Sequence, residues 1–419
     1  MSNSRVETDT MGDVNLPEEA LYGASTQRAI DNFAISSLRM PLEFVHAIAL
    51  IKRAAAEANM ELELLDESVG SRIRDAAREI EEGRHDEHFQ IDVFQTGSAT
   101  STHMNVNEVI ANLCSLKAGE AVGSKIPAHP NDHVNLGQSS NDVAPSALHI
   151  SVVLGLSNRL VPALEALEDA LAGKVCEWED IIKVGRTHLM DATPLSLGEE
   201  FSGYQRQVEK AVKRCHRAIE NLRELALGGT AVGTGVNAHE DFAELAIKIV
   251  RDKTGIDFRE AKNHFEAQAA RDDMVEVAGV LMAISASLIK ISNDIRLLGS
   301  GPRAGFGELR LPALQPGSSI MPGKTNPVMC EMLVQACHYV TGHCQTIVRC
   351  GQEGQLELNA TIPLIAHCAH QSISILASAC EKFAEKCILD LEADGDRCRE
   401  YAERSLMLVT KLTPEIGYE

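Results

Sequence analysis

Residues 317–331, Gly-Ser-Ser-Ile-Met-Pro-Gly-Lys-Thr-Asn-Pro-Val-Met-Cys-Glu, set two serines, a lysine, an asparagine and a glutamate among two glycines and two prolines. That composition forbids a regular helix and describes a polar, anion-friendly loop running into one. Lys324 and Asn326 can hold a carboxylate by charge and hydrogen bond. Ser318 or Ser319, beside a glycine, can be brought close to a substrate C–H bond, and Glu331 can pair with a histidine. The chemistry suggested is removal of a proton next to a carboxylate. Taken alone, the same residues also describe a surface loop with a Pro-flanked turn.

Three further segments offer matching groups. Gln95–Glu108 presents Ser98, Thr100, Ser101, Thr102, Asn105 and Asn107, neutral donors suited to a carboxylate cradle at a helix start. A Ser/Thr-rich N-cap and turn explains that segment equally well. His129–Asp142 adds Ser139, Ser140 and Asn141; its His129, Asp132 and His133 lack a matching third-ligand motif, so no metal site is expected. In Gly185–Asp191, His188 lies between Thr187 and Asp191, and its Gly-Arg-Thr context favours a working imidazole over a structural one. The chain has no phosphate-binding glycine loop and no Gly-x-Ser-x-Gly elbow, so nucleotide-binding and hydrolase readings lack support.

Helices must position these groups. Aromatics make up only 4% of the 419 residues, so the core is built from Ala, Leu, Ile and Val, which suits long packed helices. Val208, Val212, Cys215, Ile219 and Leu222 keep a 4-3-4-3 spacing of coiled-coil type, and Leu160, Leu164, Leu167 and Leu171 recur similarly. Helical patterns also cover 42–62, 67–80, 241–252, 274–298, 328–350 and 362–391. Glycine and polar residues break them at 96–107, 129–141, 185–191, 228–237 and 317–331. The spacing predicts an N-terminal, mostly helical domain over 1–139, a central long-helix bundle over 140–393 and a small remnant over 394–419. Only short, minor strands are expected, near the N-terminus.

A net charge of −21 argues against nucleic acid or anionic membrane as partner, and leaves room for a small anion in a locally positive pocket. Eleven scattered cysteines without a C-x-x-C pair point to reduced, buried thiols in a cytoplasmic compartment. The N-terminus shows no leader pattern, and the apolar run 277–289 is too short to span a bilayer and reads as a buried helix.

Together, Gly-Ser-Ser-Ile-Met-Pro-Gly-Lys-x-Asn-Pro, Gly-Arg-Thr-His, Asn-Asp-His-Val-Asn with Gln-Ser-Ser-Asn-Asp, and Gly228-Gly-Thr-Ala-Val-Gly-Thr-Gly-x-Asn237 resemble the fumarase/aspartase superfamily, specifically the metal-independent class II fumarases. The resemblance runs from about Thr8 to the last residue. It implies a mainly α, three-domain fold whose central bundle forms a twenty-helix core in a homotetramer, with each active site drawn from three subunits. The implied activity is reversible hydration of fumarate to (S)-malate without metal or organic cofactor. Carried over by motif, Ser318 is the base at C3, and His188, polarised by Glu331, handles the departing hydroxyl through water. Lys324, Asn326 and Thr187 stabilise the aci-carboxylate, while Ser98, Thr100, Ser139, Ser140 and Asn141 hold carboxylates. His129, Asn131 and Asp132 match a second dicarboxylate site.

Aspartase shares much of this scaffold, but aspartases typically carry Gln after Gly-Arg-Thr, where this chain has His188, and Pro-Ala-Lys where it has Pro-Gly-Lys. A catalytically silent relative is the other alternative; retention of His188, Ser318, Lys324, Asn326 and Glu331 together argues against it. Three positions depart from the family pattern. His103 stands where Asn is usual, Leu136-Gly137 replaces a pair that is often Lys-Ser, and family members usually continue well beyond residue 419, so the third domain is expected to be incomplete.

Overall fold

The structure, a computed structural model, describes residues 4–418; Met1–Asn3 and Glu419, at the outer ends of the expected first and last domains, lie outside it. It is mainly α-helical. Hairpin β1 (Ser4–Asp9) and β2 (Gly12–Pro17) leads into α1 (Ala24–Asn32), α2 (Leu42–Glu61), α3 (Glu67–Glu81), α4 (Thr100–Ala118), α5 (Ser140–Gly155) and α6 (Val161–Glu177). A second hairpin, β3 (Ile182–Thr187) and β4 (Met190–Ser196), precedes α7 (Leu197–Asn221), α8 (Phe242–Thr254), α9 (His264–Ala269), α10 (Asp272–Leu298), α11 (Val328–Gly351), α12 (Ile362–Phe383) and α13 (Gly395–Arg404). Contacts group the chain into two compact units: Met1–Leu156 with Arg217–Ala278 and His343–Gln371, and Ser157–His216 with Gly279–Gly342 and Ser372–Glu419.

In the first unit α2 is the hub. It packs on α3, α5 and α8, and Phe44, Val45, Ile48, Ile51, Ala54 and Ala55 are fully buried. Each large apolar side chain contributes on the order of 1.5–3 kcal/mol on burial. Local signals set the ends of its neighbours. Asp66 caps α3 by accepting from the Ser68 N–H, and Gly119, at φ +81°, ends α4 in a left-handed turn.

Three expectations need correction. The polar run 96–107 is only half a break, because α4 begins at Thr100 and continues through it. The helix expected to Leu391 leaves α-geometry after Phe383, where a π-helical turn takes over. The coiled-coil spacing of Val208, Val212, Cys215, Ile219 and Leu222 would suit a seam between copies, but all five are already buried within a single chain. The run 277–289 lies in the 27-residue α10, which with Ser140–Glu177 is long and apolar enough to cross a membrane by length and composition. One face of α10 (Met274, Val277, Leu281, Ile284, Leu288, Ile291, Ile295) is core.

In the second unit an ionic cluster anchors the β3–β4 hairpin. The Glu308 carboxylate, wholly buried, takes both guanidinium nitrogens of Arg186 at 3.0 and 2.8 Å, and the Lys183 ammonium lies 3.3 Å away. Lys183 also pairs with Glu200 at 2.9 Å. Phe306 stacks on the Arg186 guanidinium at 4.4 Å. Removing one member strands the others, which costs about 3–5 kcal/mol at a buried site. Glu308→Gln is therefore expected to lower the unfolding free energy by about that amount in urea denaturation; a loss below about 1 kcal/mol would contradict the anchoring role.

Candidate active site

In the first unit two helix N-termini meet over a chain of hydroxyls. Ser98 Oγ lies 2.7 Å from Thr100 Oγ1, which lies 2.8 Å from Ser140 Oγ. Thr100 opens α4 and Ser140 opens α5. The Ser140 hydroxyl also reaches Asn141 Oδ1 at 3.5 Å, a long bond that an incoming acceptor can replace. Both helix N-termini add positive potential, although the N–H groups of Thr102 and Asn141 are already taken by Gln95 and Ser139. That combination suits a carboxylate.

Backbone constraints fix the hydroxyls. Ala99, which precedes α4, is buried and left-handed at φ +58°, an uncommon conformation for alanine. Gly97 must be glycine, since a Cβ there would sit 1.9 Å from the Ala360 carbonyl oxygen. Ser139 caps α5 and donates its own N–H to Asp142, a reciprocal capping box. Asp142, also fully buried, accepts from Gly228 N at 3.0 Å and Thr230 N at 3.1 Å, bringing in the 228–237 segment. Burial pushes its carboxyl up to about 6, against the pull of those N–H groups and of Lys52. Asn141 donates to the Ala231 carbonyl at 2.9 Å. Ser98, Thr100, Ser139, Ser140 and Asn141 are thus brought together.

Not every donor of the polar run belongs there. The Thr102 hydroxyl donates to Gln95, Asn105 donates to the His88 carbonyl, and Asn107 is buried within α4. These are structural. His129 caps a π-helical turn, its ring Nδ1 accepting from Asn131 N and Asp132 N. With Asn131 and Lys125 it lines a small cavity of ≈ 90 Å³ that Glu7, Asp9 and Glu108 also line, an acidic setting for a dianion.

In the second unit His188 sits at the tip of the β3–β4 hairpin. Thr187 pairs with Met190, so His188 and Leu189 form a two-residue turn, with φ +57° and +61°. Both positive angles mark a type I′ turn, where Asn-Gly is the usual occupant. A histidine and a leucine there hold a conformation costing about 1–2 kcal/mol per residue. The tip is exposed, Leu189 and Met190 to about 70%. Gly185 makes a bulge in β3, where a Cβ would meet the Thr193 carbonyl at 2.5 Å. The glycine and polar residues of 185–191 predict only a break between helices; the structure makes the segment the end of one strand, a turn and the start of the next.

The 317–331 loop closes on itself. Gly317 N donates to the Lys324 carbonyl at 2.8 Å, and Asn326 Nδ2 donates to the Gly317 carbonyl at 2.8 Å. Ser318 Oγ accepts backbone N–H groups from Ile320 at 3.2 Å and Met321 at 3.0 Å. Two donors aimed at one hydroxyl oxygen stabilise its alkoxide. The Lys324 side chain is exposed. Among the described residues, Lys324 and Glu331 form no ion pair, and His188 is not hydrogen-bonded to Glu331.

The comparisons with known proteins agree along the whole chain. A family model described as lyase matches residues 12–342. The class II fumarate hydratase of Methylorubrum extorquens is 49% identical over 99% of this chain and 88% of its own length; that of Rhizobium meliloti is 49% identical over 100% and 90%. The chain belongs to the lyase family, among the class II fumarate hydratases. Solved structures carry the same fold. The class II fumarase of Schistosoma mansoni superposes with a TM-score of 0.97 at 40% identity, covering 99% of this chain and 90% of that one. A fumarate lyase:delta crystallin from Brucella melitensis bound to cobalt gives 0.96 at 42%, covering 99% and 91%.

For this class II fumarate hydratase family member, the strain at the hairpin tip is measurable. Leu189→Gly is expected to raise the unfolding free energy by roughly 0.5 kcal/mol, relief of the left-handed leucine exceeding glycine's added freedom when unfolded. A decrease in urea denaturation would show that the turn is unstrained.

Proposed function

We propose that this protein interconverts fumarate and (S)-malate by abstracting the C3 proton of malate through an aci-carboxylate intermediate. The observation that carries the mechanism is the pair of backbone N–H groups on Ser318 Oγ. Serine is a poor base at its free pKa, and donors that stabilise the alkoxide supply the activation it lacks. Ser318 takes the C3 proton, and the electron pair moves onto the adjacent carboxylate. Lys324, Asn326 and Thr187 stabilise that second negative charge. The C2–O bond then breaks; a proton relayed from His188, polarised by Glu331, lets the hydroxyl leave as water, giving fumarate. Ser98, Thr100, Ser139, Ser140 and Asn141 hold carboxylate oxygens, and His129, Asn131 and Asp132 form a second dicarboxylate site.

His188 and Glu331 meet in this reading only when copies assemble, each active site drawing on three subunits of a homotetramer. The half-exposed apolar row of α10, Val280, Met282, Ala283 and Ile289, supports association. The enzyme works without metal or organic cofactor, in the cytoplasm.

Two measurements test this. Mixed with malate, the protein is expected to generate the ultraviolet absorbance of fumarate, with or without a chelator. Activity with aspartate alone would make it an aspartase, loss on chelation would contradict the metal-free mechanism, and inactivity with both would revive a silent relative. Ser318→Ala is expected to lower turnover by at least about 10²-fold at unchanged fold; near-normal turnover would remove the hydroxyl from the role of base.

A further inference from the structure

Lys52, on α2, is wholly buried. Its ammonium has three donors and finds three acceptors: His103 Nε2 at 2.6 Å, Asn135 Oδ1 at 2.9 Å and Gln138 Oε1 at 2.9 Å. The two amides cannot turn away. Asn135 Nδ2 donates to the Gln138 carbonyl, and Gln138 Nε2 donates to the carbonyls of Val134 and Leu136. Their oxygens are thereby committed to the lysine.

The location of those acceptors gives the lysine a role. His103 is in the first turn of α4, its N–H bonded to the Ala99 carbonyl and its position three residues after Thr100. Gln138 immediately precedes Ser139, the cap of α5. One ammonium therefore ties together the starts of both helices that carry the Ser98–Thr100–Ser140 hydroxyls. Among the described residues no carboxylate is bonded to it; the nearby Asp142 charge works against the effect of burial. Burial draws the lysine well below its ordinary range, and burial with the lysine's charge does the same to His103. A dianion arriving at the two N-termini would supply the counter-charge that Lys52 lacks as a hydrogen-bonded partner.

We propose that Lys52 is a positioning residue of the dicarboxylate site, setting the spacing of the α4 and α5 N-termini and placing behind the hydroxyls an amine whose positive charge the arriving dianion stabilises. This rests on the reading of those hydroxyls as the carboxylate cradle. His103 is the linker that couples the ammonium to α4, which gives the unusual residue at this position its purpose.

The test compares wild type, Lys52→Met and His103→Asn in calorimetric binding of succinate, a non-reacting dianion, and of succinamate, its monoanionic monoamide. Lys52→Met is expected to weaken succinate by about 10-fold or more and succinamate by distinctly less, because a lost charge is felt most by the dianion. KM for fumarate should rise similarly while kcat stays within about 3-fold, the pattern of lost uniform binding. His103→Asn, which keeps the charge but lengthens the link, should weaken both ligands equally, by about 3-fold. If Lys52→Met does not fold, the His103→Asn result decides: unchanged binding of both ligands overturns the proposal. Equal succinate affinity in folded Lys52→Met and wild type overturns it too. Failure of wild type to bind succinate at all would instead overturn the reading of the cradle.

Discussion

An ion removed from water must be given partners, and this constraint shapes both units. In the first, the buried Asp142 carboxylate gathers N–H groups from Ser139, Gly228 and Thr230. That fixes where α5 begins and where the glycine-rich 228–237 segment docks. In the second, the buried Glu308 carboxylate gathers Lys183 and Arg186 and thereby holds strand β3. Neither cluster is an economical source of stability, since desolvation offsets most of the attraction. What each provides is a single allowed arrangement of the backbone around a polar site.

Local sequence preference is violated where the candidate residues lie. Ala99 is left-handed just before Thr100, and His188 and Leu189 are left-handed at the hairpin tip. A fold that satisfied every residue would place glycine or asparagine at such positions. At Ala99 the buried surroundings impose the conformation, and at His188 and Leu189 the two-residue hairpin turn does. The 317–331 loop uses a different device. It turns back on itself so that two successive N–H groups point at Ser318 Oγ.

Much of this was legible in the sequence. The 3.6-residue periodicity marked α2, α3, α8, α10 and α11 to within a few residues, because an apolar stripe on a long helix has no alternative reading; α4 and α5, polar at their starts, were not among the expected helices. The Ser98, Thr100, Ser139, Ser140 and Asn141 group was legible as donors near helix starts. Three features were not. The hairpin at 182–196 lacks the Asn-Gly signal, and the partner that holds its Arg186 is Glu308, 122 residues on. Thr102, Asn105 and Asn107 looked like the same kind of donor as Thr100, but helical geometry points them at local partners. Lys52 sat inside a helical pattern as one more charged residue, and only its burial against His103, Asn135 and Gln138 distinguishes it. The hairpin and Lys52 depend on contacts between residues distant in sequence, and the three donors depend on where a helix turn aims them.

The most direct measurement of the carboxylate site is a crystal structure with succinate bound. One carboxylate is expected within hydrogen-bond distance of the Thr100 and Ser140 hydroxyls, facing the first-turn N–H groups of α4 and α5. Succinate bound elsewhere, with the Ser98–Thr100–Ser140 chain left as it is in the free protein, would contradict the assignment of these helix starts as the carboxylate cradle.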